Sequence, residues 1–159
     1  MIYLRHHGFP SPLLDWTESP FVSAFFAFES PTEQNVAIFS YQEYPGLGKS
    51  VELESAHIAR YGPSVQTHRR HFQQQCQYTA CHKRSNGEYL YCHHDCAEFS
   101  DEQDSLVQYV LPSTERQKAL EHLQKMNINA FTLFGSEEGL MKTQAFCNID
   151  CSPRFWKKA

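Results

Sequence analysis

Residues 5–20 have the sequence RHHGFPSPLLDWTESP, and this stretch decides how the N-terminal part of the chain folds. Two histidines, a glycine and two spaced prolines make its first half stiff, polar and non-helical. The second half contains the short apolar unit LLDWT at residues 13–17, which we expect to bury Asp15 beside Trp16. Stiff polar loops commonly position functional groups, so this stretch is a candidate site.

Two interpretations of the stretch stay open at the level of sequence. A buried carboxylate needs a partner, so Asp15 either caps the loop while Trp16 fills the core, or pairs with a neighbouring His or Arg. His6 precedes a Gly-x-Pro turn and is equally suited to facing an open cleft.

The residues that follow predict a buried helix. Ser19 is a favoured N-cap and Pro20 a favoured first helical residue, so we expect a helix from there to Glu29. Residues 21–28, FVSAFFAF, are apolar on nearly every face, which is typical of a helix inside a core.

Further strands follow from β-branched and aromatic runs. We predict strands at residues 36–41 and 106–111, and a hairpin formed by residues 78–81 and 88–92 around Asn86-Gly87, because Asn-Gly is a strong hairpin-turn signal. Between the first of these strands and the hairpin, residues 42–66 predict a long connection with one helical turn near residues 55–60.

Helices are predicted at residues 67–75, after a cap at Ser113 or Thr114, and from Ser136 to Phe146. The second of these helices should bury one face, which consists of Ala119, Leu120, Leu123 and Met126. A short apolar strand at residues 130–134 should separate it from the third helix.

Together these elements predict an α+β fold: a single domain over residues 1–159 with a mixed or antiparallel sheet, one β-hairpin and several packed helices. We expect residues 150–159 to form a loosely ordered tail.

Composition limits the class of protein. A formal net charge of −4 gives no general attraction to nucleic acid or to an anionic membrane. Because no stretch is long and apolar enough for a membrane span and no secretory signal is present, we expect a cytoplasmic protein with its six cysteines reduced.

The Cys- and His-rich hairpin raises two alternatives. A zinc site at Cys81, His82, Cys92 and Cys96 is one, since these side chains are borderline-soft ligands; the spacing lacks the tight Cys-x2-Cys knuckle, so no metal is expected. A Cys nucleophile beside a His is the other, although no local motif selects one pair.

Residues 6–20 resemble the signature of the FRG domain family, Gln-His-Tyr/His-Gly-x-Pro-Thr-Arg-Leu-Leu-Asp-Trp-Thr-x-x-Pro, which continues into an Ala- and Phe-rich helix. Residues 71–79 resemble the Gln-rich element of that family, and residues 132–140 resemble its Leu-Phe-Pro-Asp-Leu-Asp/Glu-Gly-Leu ending. The pair with which the family ends its hairpin corresponds to His94-Asp95. The Phe-Arg-Gly motif that names the family has no counterpart upstream, so the resemblance implies either a fragment or a degenerate domain.

The resemblance implies an NAD-utilising, ADP-ribosyltransferase-like domain, such as a toxin or phage-defence effector. In such chemistry a late carboxylate, here Glu138, binds a ribose hydroxyl and stabilises charge as nicotinamide leaves; a helix N-terminus alone also explains a carboxylate there. An aromatic such as Tyr41 would stack on a ring of the ligand. The implied binding residues are His6, His7, Gly8, Asp15, Trp16, Thr17, Gln75 and Tyr78. The rival interpretation is a non-catalytic module that recognises a nucleotide, a nucleic acid or a protein.

Overall fold

The computed structural model describes residues 11–43, 55–62, 69–97 and 104–150. The strands within these residues are β1 (Leu14–Thr17), β2 (Val36–Gln42), β3 (His57–Tyr61), β4 (Cys76–Ser85), β5 (Glu88–Cys92) and β6 (Ser105–Leu111). The α-helices are α1 (Pro20–Glu29), α2 (Arg69–Gln73), α3 (Arg116–Lys125), α4 (Ala130–Phe134) and α5 (Glu137–Ala145). This combination of helices with antiparallel strands confirms the predicted α+β class.

The chain divides into two compact units. The sheet unit comprises Met1–Glu18, Phe39–His68 and Cys76–Gln108, and the helical unit comprises Ser19–Ile38, Arg69–Gln75 and Tyr109–Ala159. A two-stranded ribbon pairs β2 with β6, and the division falls within both of its strands. The predicted tail from residue 151 onward lies outside the described residues, whereas Phe146–Asp150 form a π-helical turn.

In the helical unit, α1 begins where the sequence predicts. The Ser19 hydroxyl accepts a hydrogen bond of 3.3 Å from the Val22 amide, and Pro20 occupies the first turn. The far end of α1 is closed by Arg116, whose guanidinium donates to the carbonyls of Phe28 and Glu29 at 2.8 and 3.0 Å. Both ends of this helix therefore have partners for backbone groups that a helix leaves unpaired. The prediction that the helix is buried on nearly every face is wrong, because Phe21 and Phe26 are 50% and 41% exposed and only one face packs into the core.

The core of the helical unit consists of aliphatic and aromatic side chains from three helices. The buried members are Val22, Phe25 and Phe28 of α1, Leu120 and Leu123 of α3, and Ala130 and Leu133 of α4. The predicted buried face of α3 is confirmed at Leu120 and Leu123, but Met126 follows the helix and is exposed.

The predicted cap of α3 is wrong. Ser113 begins a 3-10 turn, Ser113–Glu115, and its hydroxyl donates to the carbonyl of Glu33 at 3.1 Å rather than accepting from the helix. The α-helix itself begins at Arg116 without a side-chain cap.

The predicted strand at residues 130–134 is also wrong, because these residues form α4. Asn129 and Thr132 make a reciprocal capping box, in which the Asn129 side chain accepts from the Thr132 amide at 3.0 Å. Gly135 ends the helix in the left-handed conformation, with φ of 62°. Capping at both ends thus overrides an apolar run that is too short to distinguish helix from strand.

Helix α5 follows at once and packs closely against α4. The Ser136 hydroxyl accepts from the Gly139 amide at 3.1 Å, so the predicted start near Ser136 is confirmed. A Cβ atom on Gly139 would lie 2.7 Å from the carbonyl oxygen of Ala130. Only glycine permits this approach of the two backbones.

In the sheet unit, β4 is the central strand. It pairs antiparallel with β3 along one part of its length, with β1 at residues 76–79 and with β5 at residues 81–85. The hairpin to β5 turns at Asn86 and Gly87, whose φ angles of 51° and 86° confirm the predicted turn. Strand β3 replaces the helical turn predicted near residues 55–60, since pairing with β4 outweighs its weak local preference.

No helix in the described part of the chain has the length and apolar character needed to cross a bilayer.

Candidate functional site

The residues predicted to form the site fall into three groups. His6, His7 and Gly8 lie outside the described residues. Asp15, Trp16, Thr17 and Tyr78 belong to the sheet unit, and Gln75 and Glu138 belong to the helical unit.

Within the sheet unit, Trp16 is held by a chain of hydrogen bonds. Its indole nitrogen Nε1 donates to the Thr79 hydroxyl at 2.8 Å, and the same hydroxyl lies 2.8 Å from His94 Nε2. Because the indole can only donate, Thr79 accepts from Trp16 and can donate to a neutral imidazole. Burial lowers the pKa of His94, which favours that neutral form.

Tyr41 extends this arrangement. Its ring centroid lies 5.6 Å from that of Trp16, and its hydroxyl donates to the Asp104 carboxylate at 2.6 Å. Burial, followed by the hydrogen bond to Asp104, raises the pKa of the Tyr41 phenol, so the group stays protonated at any physiological pH. These bonds place Trp16 and Tyr41 as fixed parts of the fold.

The expectation that Asp15 is buried beside Trp16 is wrong. Strand β1 is exposed at Leu14 and Asp15 and half-buried at Trp16 and Thr17. Adjacent residues of a strand point to opposite faces, so Asp15 and Trp16 cannot share one environment. Asp15 lies opposite Tyr78 in the register of β1 and β4.

The cysteines of the hairpin lie close together in one pair. Cys81 and Cys92 are opposite each other in the register of β4 and β5, and their sulfur atoms are 3.3 Å apart. Burial raises the pKa of the Cys81 thiol to about 12, so this thiol is not activated as a nucleophile. Among the described residues, no cluster of three or more His, Cys, Asp or Glu is arranged to hold a metal ion.

The helical unit contains a cavity of about 440 Å³, which we call the glutamine pocket. Its walls come from the start of α1, from α2 and the residues after it, and from the segment that contains α4. The lining residues are Ser19, Val22, Arg69, Gln73, Gln75, Asn127, Ile128, Phe131, Thr132, Leu133 and Gly135.

Helix α2 is fixed to α4 by two side chains that are not part of the pocket lining. Gln74 Nε2 donates to the Leu133 carbonyl and Arg70 Nε to the Phe134 carbonyl, both at 3.0 Å. Gln75 lies two residues after the end of α2 and has a positive φ of 49°, which turns the chain sharply before β4. The glutamines on either side of Gln74 are thereby left to line the pocket.

Gln73 carries an unused acceptor. Its Oε1 atom is buried and has no hydrogen-bond partner among the described residues. The same atom lies 3.8 Å from the position that a Cβ atom on Gly135 would take, so the absence of a side chain at Gly135 leaves this wall of the pocket open. Buried polar atoms without partners are rare in folded proteins, and a water molecule, an ion or a bound ligand is the usual source of the partner.

The charge of the glutamine pocket comes from one residue. Arg69 is exposed and cationic, and none of the described lining residues carries a carboxylate. A guanidinium beside several carboxamides favours a ligand that is anionic at one end and rich in hydrogen-bonding groups at the other.

Glu138 does not line this pocket. It lies in the first turn of α5 with its side chain 79% exposed, and it pairs with Lys142 one turn later at 3.3 Å. Lys142 also binds Glu29 at 3.2 Å, and the hydrogen bonds to these two carboxylates raise the pKa of the Lys142 amine. The catalytic role of Glu138 therefore stays a prediction, and its observed partner is a lysine of its own helix.

Sequence reasoning selected Gln75 but missed Arg69, Gln73 and Asn127. The glutamine run at residues 73–75 was a usable signal, because three consecutive carboxamides supply several hydrogen-bond donors and acceptors at one point of the chain. Asn127 was visible only as a turn residue, and its φ of 61° confirms the turn without indicating a pocket.

Comparison with known proteins gives one match. No curated protein and no solved structure matches the chain. The model of the FRG domain family matches residues 1–36, and the resemblance seen in residues 6–20 is thereby confirmed over that stretch.

Proposed function

We propose that this FRG-like chain is a nucleotide-recognition protein, that the glutamine pocket is its ligand site, and that NAD is the ligand to test first. One observation carries the proposal. The pocket is lined by Ser19 and Val22 from the stretch that the FRG family model matches, and by residues of the two later segments for which the sequence predicts the same resemblance: Gln73, Gln75, Thr132, Leu133 and Gly135.

The chemistry of the lining suits a nucleotide. The free acceptor of Gln73 needs an N–H donor, which an adenine amino group or a nicotinamide carboxamide would provide. The carboxamides of Gln75 and Asn127 can each donate and accept, and Arg69 can bind a phosphate through two parallel N–H bonds. A cavity of about 440 Å³ also falls within the usual range for small-molecule sites.

Recognition without transfer is the function that this geometry favours. Transfer of ADP-ribose would need a carboxylate at the ribose, and the candidate for that role, Glu138, is paired with Lys142 and lies outside the lining. The ADP-ribosyltransferase activity implied by the family resemblance is therefore the finer hypothesis, to be tested separately from binding.

Isothermal titration of NAD into the purified full chain tests the binding step. We expect saturable binding that Gln73→Leu weakens about tenfold, since a hydrogen bond to a buried carboxamide is worth about 1 kcal/mol and the leucine also removes the donor. Arg69→Ala should weaken NAD and ADP but leave nicotinamide riboside unaffected, because only the first two carry a diphosphate. Gln117→Leu, which changes an exposed glutamine of α3 outside the lining, is the matched control.

The absence of heat at millimolar NAD and ADP, or equal affinity of the wild type and Gln73→Leu, would contradict the proposal. Release of nicotinamide, followed by chromatography, tests the finer hypothesis. Release that Glu138→Gln abolishes while NAD binding persists would establish cleavage of the nicotinamide–ribose bond at Glu138, and ADP-ribose found on an acceptor rather than free in solution would distinguish transfer from hydrolysis. Binding without release in both proteins would leave recognition as the function.

A further inference from the structure

We propose that the sheet unit binds single-stranded nucleic acid on one face of strands β3, β4 and β5, by stacking bases on exposed aromatic rings. We call it the aromatic face, and it contains a cleft of about 370 Å³. The residues that line the cleft are His57, Ala59, Tyr61, His82, Tyr89 and Tyr91. The proposal does not depend on the glutamine pocket, since no residue is shared between the two.

The register of the three strands places these rings side by side. His57 lies opposite His82, and His82 lies opposite Tyr91, so one row of rings crosses all three strands. Residues that are directly opposite in antiparallel strands point to the same face. The ring centroids in the row are 5.6 and 5.3 Å apart, with interplanar angles of 39° and 34°.

A second set of rings lies on either side of this row. Tyr61 contacts His82 edge-on, with its hydroxyl 2.9 Å from His82 Nε2, and this bond fixes both rings. Tyr89 lies opposite Arg84 near the hairpin turn. Ala59 lies between His57 and Tyr61 along β3 and carries no ring, which leaves the cleft open between them.

The rings are available to a ligand rather than to the core. Tyr89 is 70% exposed, Tyr91 57% and Tyr61 42%. Exposed aromatic rings grouped on a sheet are the usual platform for unstacked bases, because every base presents a flat π-face.

The charge and the extent of the aromatic face favour a single-stranded oligonucleotide over a single nucleotide as the ligand. Arg84 is exposed on the aromatic face at its hairpin end, two residues from His82 and opposite Tyr89, where a phosphate that flanks the stacked bases can bind it. The rings extend over three strands, which are about 4.8 Å apart, so one base covers only part of the row. A duplex is excluded as a ligand because its bases are already stacked and paired.

Fluorescence anisotropy with the full chain and a short, labelled, mixed-sequence oligoribonucleotide tests the proposal. We expect saturable binding that weakens about tenfold in Tyr91→Ala and again in Tyr89→Ala, as loss of one stacked base predicts. Tyr91→Phe keeps the ring and should bind like the wild type. Tyr109→Ala, which removes an exposed tyrosine from β6 outside the cleft, is the matched control and should also bind like the wild type.

Three results would overturn the proposal. They are no binding of the oligoribonucleotide at low salt, equal affinity for the oligoribonucleotide and for the duplex that it forms with its complement, and unchanged affinity in Tyr91→Ala. Binding of adenosine and uridine monophosphates as tight as that of the strand would also overturn it, since the site would then hold a single nucleotide. Arg69→Ala separates the two sites: loss of oligonucleotide binding in that variant would assign the strand to the glutamine pocket instead.

Discussion

The helical unit and the sheet unit have different kinds of interior. The helical unit buries a cluster of seven apolar residues from three helices, with phenylalanine and leucine as its largest members. The sheet unit buries successive residues of β4, and its largest fully buried side chains are Tyr78, Thr79 and Cys81. The most deeply buried side chains of the sheet unit thus carry a phenol, a hydroxyl and a thiol, whereas those of the helical core, such as Phe25 and Leu123, are purely apolar.

The stability of the two units therefore depends on different contributions to the free energy of unfolding. Apolar burial in the helical unit contributes in proportion to area and volume. In the sheet unit each buried polar group must keep its partner, because an unpaired donor or acceptor costs more than the bond itself contributes. Volume changes should therefore disturb the first unit most, and loss of hydrogen bonds or a change of protonation should disturb the second.

The largest effect is expected for Phe25→Ala in the helical unit. Phe25 is buried and contacts the rings of Phe26 and Phe134, with centroids 5.7 and 6.3 Å away. Its truncation should lower the free energy of unfolding by about 3–5 kcal/mol, measured by urea denaturation followed by circular dichroism. Phe72→Ala removes an exposed ring and should cost less than about 0.5 kcal/mol. An equal decrease in the free energy of unfolding in the two variants would contradict the conclusion that apolar burial stabilises the helical unit.

The next effect is expected for Thr79→Val in the sheet unit, which keeps the volume but removes the hydroxyl. The Trp16 indole would lose its acceptor and His94 its partner, at a cost of about 1–3 kcal/mol. Thr79→Ser keeps the hydroxyl and should retain the 2.8 Å bond to Trp16 at a smaller cost. A stability unchanged in Thr79→Val would show that this hydrogen-bond chain does not hold Trp16.

The smallest effect is a pH dependence confined to the sheet unit. Burial lowers the pKa values of His82 and His94 from the usual 6.5. Below pH 6.5 the unfolded chain binds protons that the folded chain resists, so stability should be complete above that pH and decline as the pH falls.

Thermal unfolding at a series of pH values between about 5 and 8 checks this dependence, since histidine is the side chain that titrates in that range. His94→Gln should flatten the profile, whereas His122→Gln, which changes an exposed histidine of α3, should leave it unchanged. A profile that is equally steep in His94→Gln would assign the dependence to other groups.

Local chemistry predicted the elements whose ends are marked in the sequence. Ser19-Pro20 at α1, Asn86-Gly87 at the hairpin and Ser136 at α5 each act within one turn of the chain, so neighbouring residues suffice to identify them. The periodic face of α3 was predictable for the same reason.

Two of the errors arise where partners distant in sequence decide the outcome, whereas α4 was mispredicted although its caps, Asn129 and Gly135, are local. Strand β3 depends on pairing with β4, and Ser113 finds its partner 80 residues away at Glu33. The candidate site was predictable only in part, because the packing of α2 against α4 leaves the Gln73 acceptor without a partner in the part of the chain that the structure describes. No pattern within residues 73–75 specifies which glutamine faces the pocket.

The pairing of β1 with β4 has a consequence for the order of folding. The bond between Trp16 and Thr79 joins residues that are 63 positions apart, whereas the turn that joins β4 to β5 consists of Asn86 and Gly87. Closing a long loop costs more entropy than closing a tight turn, and non-local pairings slow folding. We therefore expect the hairpin to form early and β1 to join it last, so that Leu14–Thr17 are the last residues of this sheet to be ordered during folding.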